Sequence, residues 1–103
     1  MKQVINGKVY NTETAKEIEN RSYSHVGDFR HYEEALYKTK KGQLFIAGSG
    51  GPMSHYSESV AQNEWSGGSK LRLVSENQAR DFLEKCSCDE SYYNAAGLGV
   101  EEG

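Results

Sequence analysis

The sequence predicts an α+β fold: a mostly antiparallel sheet built from hairpins, with two helices packed on it, in the order ββαβββα. Three observations predict it. Asn6-Gly7 falls between QVI and KVY, a KKG turn falls between EALYKT and QLFIAG, and Ser75-x-x-Gln78 opens a stretch whose apolar residues recur at helical spacing. Hairpins build antiparallel sheets, and a helix with a single apolar face has to cover one.

Asn-Gly accepts the positive φ angles of a type I′ turn, so residues 2–10 are expected to form a hairpin that pairs Val4 with Val9. NTETAKEIENR follows and is expected to be a helix: Thr12 or Asn11 caps it, Glu13 suits its first turn, and Glu17 to Arg21 is a well-oriented i,i+4 pair. Its apolar face is only Ala15 and Ile18, so it has to lean on a sheet. EALYKT and QLFIAG form the central hairpin, with Gly42 in the left-handed position of its loop. Residues 54–65 show no clear period. Gly67-Gly68 then breaks the chain before KLRLV, where Leu71 and Leu73 alternate with Lys70 and Arg72 as in a half-buried strand.

The Ser75 capping box, preceded by Val74 and followed by Ala79, Phe82, Leu83 and Cys86, specifies a helix over residues 76–87. Residues 1–88 are thus expected to be a single domain. Residues 89–103, DESYYNAAGLGVEEG, are expected to be an acidic, partly ordered tail holding a short helical turn.

A chain of 103 residues has room for one modest core. Leu, Ile, Val and Phe supply only 18 residues, a fraction typical of disorder when net charge is high; here the net charge is only -3, and seven tyrosines and Trp65 add apolar area. No apolar run approaches the roughly 18 residues that span a bilayer, and MKQVINGKVY has no signal-peptide core, so the expected location is the cytoplasm. In that reducing compartment Cys86 and Cys88, too close for a relaxed disulfide, stay thiols. Charge is uneven: residues 76–103 hold seven acids against Arg80 and Lys85, a net -5, while residues 1–75 carry a net +2. The acidic third repels nucleic acid and attracts a basic protein groove.

No motif declares a reaction. FIAGSGGPMSHY follows a strand, yet it lacks both the Lys-Ser/Thr of a phosphate loop and the GxGxxG spacing, so its glycines are expected to turn the chain. His25, His31 and His55 with Cys86 and Cys88 match no zinc-site spacing, and Cys86 on an apolar helix face is a poor nucleophile. The expectation is therefore a binding protein and not an enzyme, with no catalytic residue, metal or cofactor.

Two surfaces are candidates. Glu84, Asp89, Glu90, Tyr92 and Tyr93 combine acids with tyrosines, the composition of an anchor for a basic groove; in the competing reading the tyrosines fold back over the helix and the acids only solvate the surface. The alternative is a basic patch of Lys38, Lys40, Lys41, Lys70 and Arg72, formed if the strand at 70–74 pairs beside the central hairpin, which would suit a nucleic-acid-binding accessory protein.

Across residues 5–85 the order NGKVYNTETA, DF, EALYKTKKG, F..G.GG, S.Y, GG and LVSE..A..FLE resembles a family of small proteins from phages and mobile elements of Gram-positive bacteria, which includes or neighbours anti-CRISPR proteins acting on Cas9. YNTETA and LYKTKKG are its most specific pieces; Cys86, Cys88 and the acidic tail depart from it. The resemblance implies stoichiometric inhibition of a CRISPR effector, Cas9 or its guide-RNA complex, by protein–protein contact that blocks nucleic-acid binding or cleavage.

Overall fold

The structure, a computed structural model, describes residues 1–24, 27–61 and 64–100. Within them the chain is α+β, with strands β1 (Lys2–Ile5), β2 (Lys8–Asn11), β3 (Lys16–Tyr23), β4 (Tyr32–Lys38), β5 (Leu44–Gly50), β6 (Glu58–Ala61), β7 (Glu64–Ser66) and β8 (Gly68–Leu73), then helices α1 (Glu76–Lys85) and α2 (Glu90–Ala95). An antiparallel sheet runs in the order β3-β4-β5-β8, and β1-β2 and β6-β7 are separate two-stranded ribbons. Among the described residues no helix is long and apolar enough to cross a membrane.

Both hairpins form as the turn chemistry requires. Val4 lies opposite Val9, with Asn6 and Gly7 at φ 52° and 77°, the two positive angles of a type I′ turn. Tyr37 lies opposite Phe45, and Gly42 closes that turn at φ 94°.

The stretch expected to be a helix, residues 12–21, is not one. Residues 12–15 form a turn and 16–23 are strand β3, so the observed order differs from ββαβββα and the second helix is α2, at 90–95. A helix here would gain little from one Glu-Arg pair, worth about 0.2–0.5 kcal/mol, and would bury only two apolar residues. As a strand it completes the edge of the sheet from Lys16↔Lys38 to Tyr23↔Tyr32, and a bulge between Glu17 and Glu19 turns Ile18 into the core. The Gly67-Gly68 pair likewise does not end before the last strand: Gly68 is its first residue, opposite Gly50.

Alternation along the strands splits the core in two. On one face Ile18, Leu36, Leu44 and Ile46 pack under Ala79, Phe82 and Leu83 of α1, together with Ala96 and Leu98 after α2. On the other, Phe45, Ala47 and Leu71 pack under Tyr10 of the N-terminal hairpin, whose ring meets Phe45 edge-on at 5.8 Å. Gln3 Oε1 accepts from the Leu71 N–H at 3.3 Å and ties that hairpin to the edge strand β8. Leu36, Phe45, Ile46 and Leu83 are fully buried, each contributing about 1.5–3 kcal/mol.

Both helices are capped at both ends. The Ser75 hydroxyl accepts from Gln78 N–H while the Gln78 side chain accepts from Ser75 N–H. At the C-terminus of α1 the Ser87 and Cys88 amides return to the Glu84 and Leu83 carbonyls, and Ser87 takes φ 55°. At the C-terminus of α2 the Gly97 and Leu98 amides return to Asn94 and Tyr93, with Gly97 at φ 79°. These are two Schellman motifs, one with glycine at the left-handed position and one with serine.

Candidate functional site

In β4, Glu34 shares the phase of Leu36, and the strand therefore aims a carboxylate at the face that α1 only partly covers. The segment 51–57 folds down over this half of the face. Tyr56 is 4 % exposed, and its hydroxyl donates to Glu34 Oε2 at 2.6 Å. His55 Nε2 stands 3.5 Å from the same oxygen and Arg72 Nη2 at 4.0 Å. Burial, then the bond to Glu34 and its charge, push the Tyr56 phenol far above its ordinary value, against the opposing pull of Arg72, so Tyr56 stays a proton donor.

The glycines of FIAGSGG make this possible. A β-carbon at Gly48 would overlap the Tyr56 hydroxyl, one at Gly50 would overlap Ser54, and one at Gly51 would lie 2.6 Å from the Phe29 carbonyl. At Gly48 and Gly50 the role is close approach of one segment to a strand, while Gly51 also opens the turn that leaves β5, its carbonyl accepting from the Ser54 amide at 3.1 Å. A row of rings continues across the face: Tyr56 to His55 at 4.3 Å, His55 to Tyr32 at 4.7 Å, Tyr32 to Tyr23 at 5.4 Å. Arg21 lies over Tyr32 and Lys70 over Tyr56. The carboxylate's partners all come from the chain itself, so the cluster locks this segment onto the sheet.

Of the predicted acidic and aromatic residues, Tyr92 and Tyr93 are half-buried against the core, as in the reading that folds them back over the helix. Glu84, Asp89 and Glu90 are exposed. Asp89 caps α2, accepting from both the Ser91 amide and hydroxyl, and these bonds hold its carboxyl below the usual range. Those three acids thus stand on ordered backbone. Glu101, Glu102 and His25 lie outside the described residues, as does the side chain of Trp65.

The predicted basic patch divides. β8 does pair with β5, but Lys70 and Arg72 project onto the face of Glu34 and Tyr56, whereas Tyr37 and Phe45 stack at 5.2 Å on the opposite face. Lys38 pairs with Leu44 and Lys70 with Gly48, which puts them about 13 Å apart along the sheet. Lys40 and Lys41 occupy the turn beyond. What joins that turn is Lys8 of β2: a groove of about 650 Å³ runs between β2 and residues 39–43, and its charged lining residues are Lys8, Lys40 and Lys41. A second groove of about 490 Å³ shares Thr14, Ala15, Thr39 and Lys40 with the first and adds Lys16 and Lys38. Nothing in the residue pattern joins Lys8 and Lys16 to the turn, because their proximity depends on the N-terminal hairpin lying across the sheet.

The two cysteines are half-buried free thiols. Cys88 donates to Glu19 Oε2 at 3.6 Å, and burial, with Cys86 and Glu19 beside it, pushes its pKa up to about 11; burial raises Cys86 as well. Neither is an activated nucleophile. Among the described residues no three His, Cys, Asp or Glu side chains are placed to hold a metal ion. Compared with protein-family models, with curated proteins and with solved structures, the chain finds no match.

Proposed function

We propose that this protein is a stoichiometric inhibitor of a CRISPR effector, Cas9 in the first instance, bound through the exposed acids Glu84, Asp89 and Glu90. One observation carries the reading: these acids sit on capped helical ends, α1 anchored to the core by Phe82 and Leu83 and α2 by Tyr92 and Tyr93, so their charge is presented from folded backbone. Preorganised anions suit a Lys/Arg-lined channel built for a phosphate backbone, gaining both encounter rate and register. The resemblance of YNTETA and LYKTKKG to mobile-element proteins supports the choice of effector.

The test is co-purification and cleavage protection with a panel of Cas9 orthologues and multi-subunit effectors. Protection at a one-to-one ratio is expected with at least one. The variant Glu84→Gln/Asp89→Ser/Glu90→Gln keeps a residue able to cap α2 and is expected to lose protection while melting like the parent. Absence of binding across the panel, or full protection by the triple variant, overturns the proposal.

A further inference from the structure

We infer that the lysine-lined grooves at the turn end of the sheet bind the phosphate backbone of a nucleic acid without reading its sequence. The inference stands apart from the effector proposal, since it concerns other residues.

Five lysines from four places in the chain converge there: Lys8 on β2, Lys16 on β3, Lys38 on β4, and Lys40 and Lys41 in the turn after it. None of the five forms an ion pair among the described residues, although the chain as a whole is acidic. Of the acids nearest in sequence, Glu17 receives the Tyr37 hydroxyl at 3.5 Å and neither Glu13 nor Glu17 lines either groove; Glu76 stands with Lys38 in an adjoining one. Uncompensated positive charge of this density costs self-repulsion, and a polyanion relieves it.

The form of the site selects the ligand class. The two grooves are continuous through Thr14, Ala15, Thr39 and Lys40, so the cations are strung along a path and do not close around one point. A single phosphate needs a convergent cradle; a chain of phosphates needs a series of cations. Lysine supplies point charges without the planar fork that reads base edges, and neither groove contains an arginine. The shared polar side chains are already engaged: Thr39 accepts from Gln43 N–H at 3.0 Å and Thr14 donates to the Asn11 carbonyl at 3.3 Å. Contact is thus through charge, with affinity set by counterion release.

The probes are a fluorescently labelled single-stranded RNA and a labelled DNA duplex, each of arbitrary sequence, titrated with the full chain at low and then rising salt. Binding of at least one probe is expected at low salt, weakening steeply as salt rises. Lys8→Ala/Lys40→Ala/Lys41→Ala is expected to weaken it by about tenfold or more and to flatten the log–log salt slope by about 2 for the single strand or 3 for the duplex. Lys8→Arg/Lys40→Arg/Lys41→Arg keeps the charge and is expected to retain binding. Lys70→Ala/Arg72→Ala, on the Glu34 face, is expected to leave the slope unchanged. No binding of either probe at low salt overturns the inference, as does binding that survives the alanine variant or that depends equally on Lys70 and Arg72. Circular dichroism shows whether each variant is folded.

Discussion

Tyr56 reaches Glu34, 2.6 Å from hydroxyl to carboxylate, only because residue 48 has no β-carbon. A methyl group at Gly48 would occupy the position of that hydroxyl, so Gly48→Ala is expected to unseat the ring and cost about 2–3 kcal/mol in urea denaturation. Tyr56→Phe keeps the ring and removes the donor, at about 1–3 kcal/mol, because the buried carboxylate loses its shortest bond. The two sites act through one contact, so Gly48→Ala combined with Tyr56→Ala should cost clearly less than the sum of the singles. Additivity within about 0.5 kcal/mol would show that the overlap is not the cause.

Ser87 holds the left-handed position at the end of α1 with φ 55°, where glycine is the residue of least strain. Ser87→Gly is expected to raise stability by about 0.5–1 kcal/mol. At the corresponding position after α2 the reverse change is unfavourable: Gly97→Ala adds a β-carbon at φ 79° and 3.0 Å from Lys38 Nζ, and is expected to lose about 1 kcal/mol. Equal effects of like sign at the two positions would refute the assignment of matching caps.

The Cys88 thiol, with its pKa pushed up to about 11, is neutral in the folded chain where an unfolded one has begun to ionise. Above the ordinary thiol value the unfolded state therefore binds fewer protons, and stability is expected to fall as pH rises from about 9 towards 11. Cys88→Ala should remove part of that slope. Alkylation of the native protein at pH 8 is expected to be far slower than that of the denatured chain; comparable rates would contradict the environment described for the thiols.

Asp89 is expected to behave as a cap as well as a surface charge. Asp89→Ala should lower the melting temperature measurably, and Asp89→Ser, which keeps a capping oxygen, should restore most of the loss. Because its carboxyl is held below the usual range, the contribution is present above the ordinary carboxylate value and disappears as pH falls through the folded one. A denaturation series between pH 6 and pH 2 compares Asp89→Ser with the parent; identical profiles would remove the carboxylate from the account.

Local chemistry was legible where it decides structure by itself. Asn6-Gly7 and Gly42 fixed two turns, and Ser75 with Gln78 fixed the start of α1. Residues 12–21 misled because one i,i+4 pair and one capping residue together contribute only about 1–2 kcal/mol to a helix, and the ladder with β4 outweighs them. The burial of Glu34 could have been read from its phase with Leu36, two residues on. The purpose of Gly48 could not, since the ring that needs the space is eight residues further along and arrives by a turn. Lys8 and Lys16 escaped for a similar reason: charge convergence is a property of the folded hairpin and leaves no pattern in the sequence.

The strand order β3-β4-β5-β8 also has a kinetic meaning. Three of the four strands are neighbours along the chain, so their meander closes short loops, whereas β8 has to return across residues 51–67 to reach β5. The meander forms first, and the closure of β8 onto it, together with Tyr56, is the slow step that completes the nucleus. Since Tyr56 lies within the returning segment and seats on Gly48 of β5, its docking shortens the loop that remains to be closed. Gly48→Ala is then a defect of assembly as much as of stability: it should slow refolding, while Ser87→Gly, at a helix end formed after the nucleus, should act mainly by slowing unfolding.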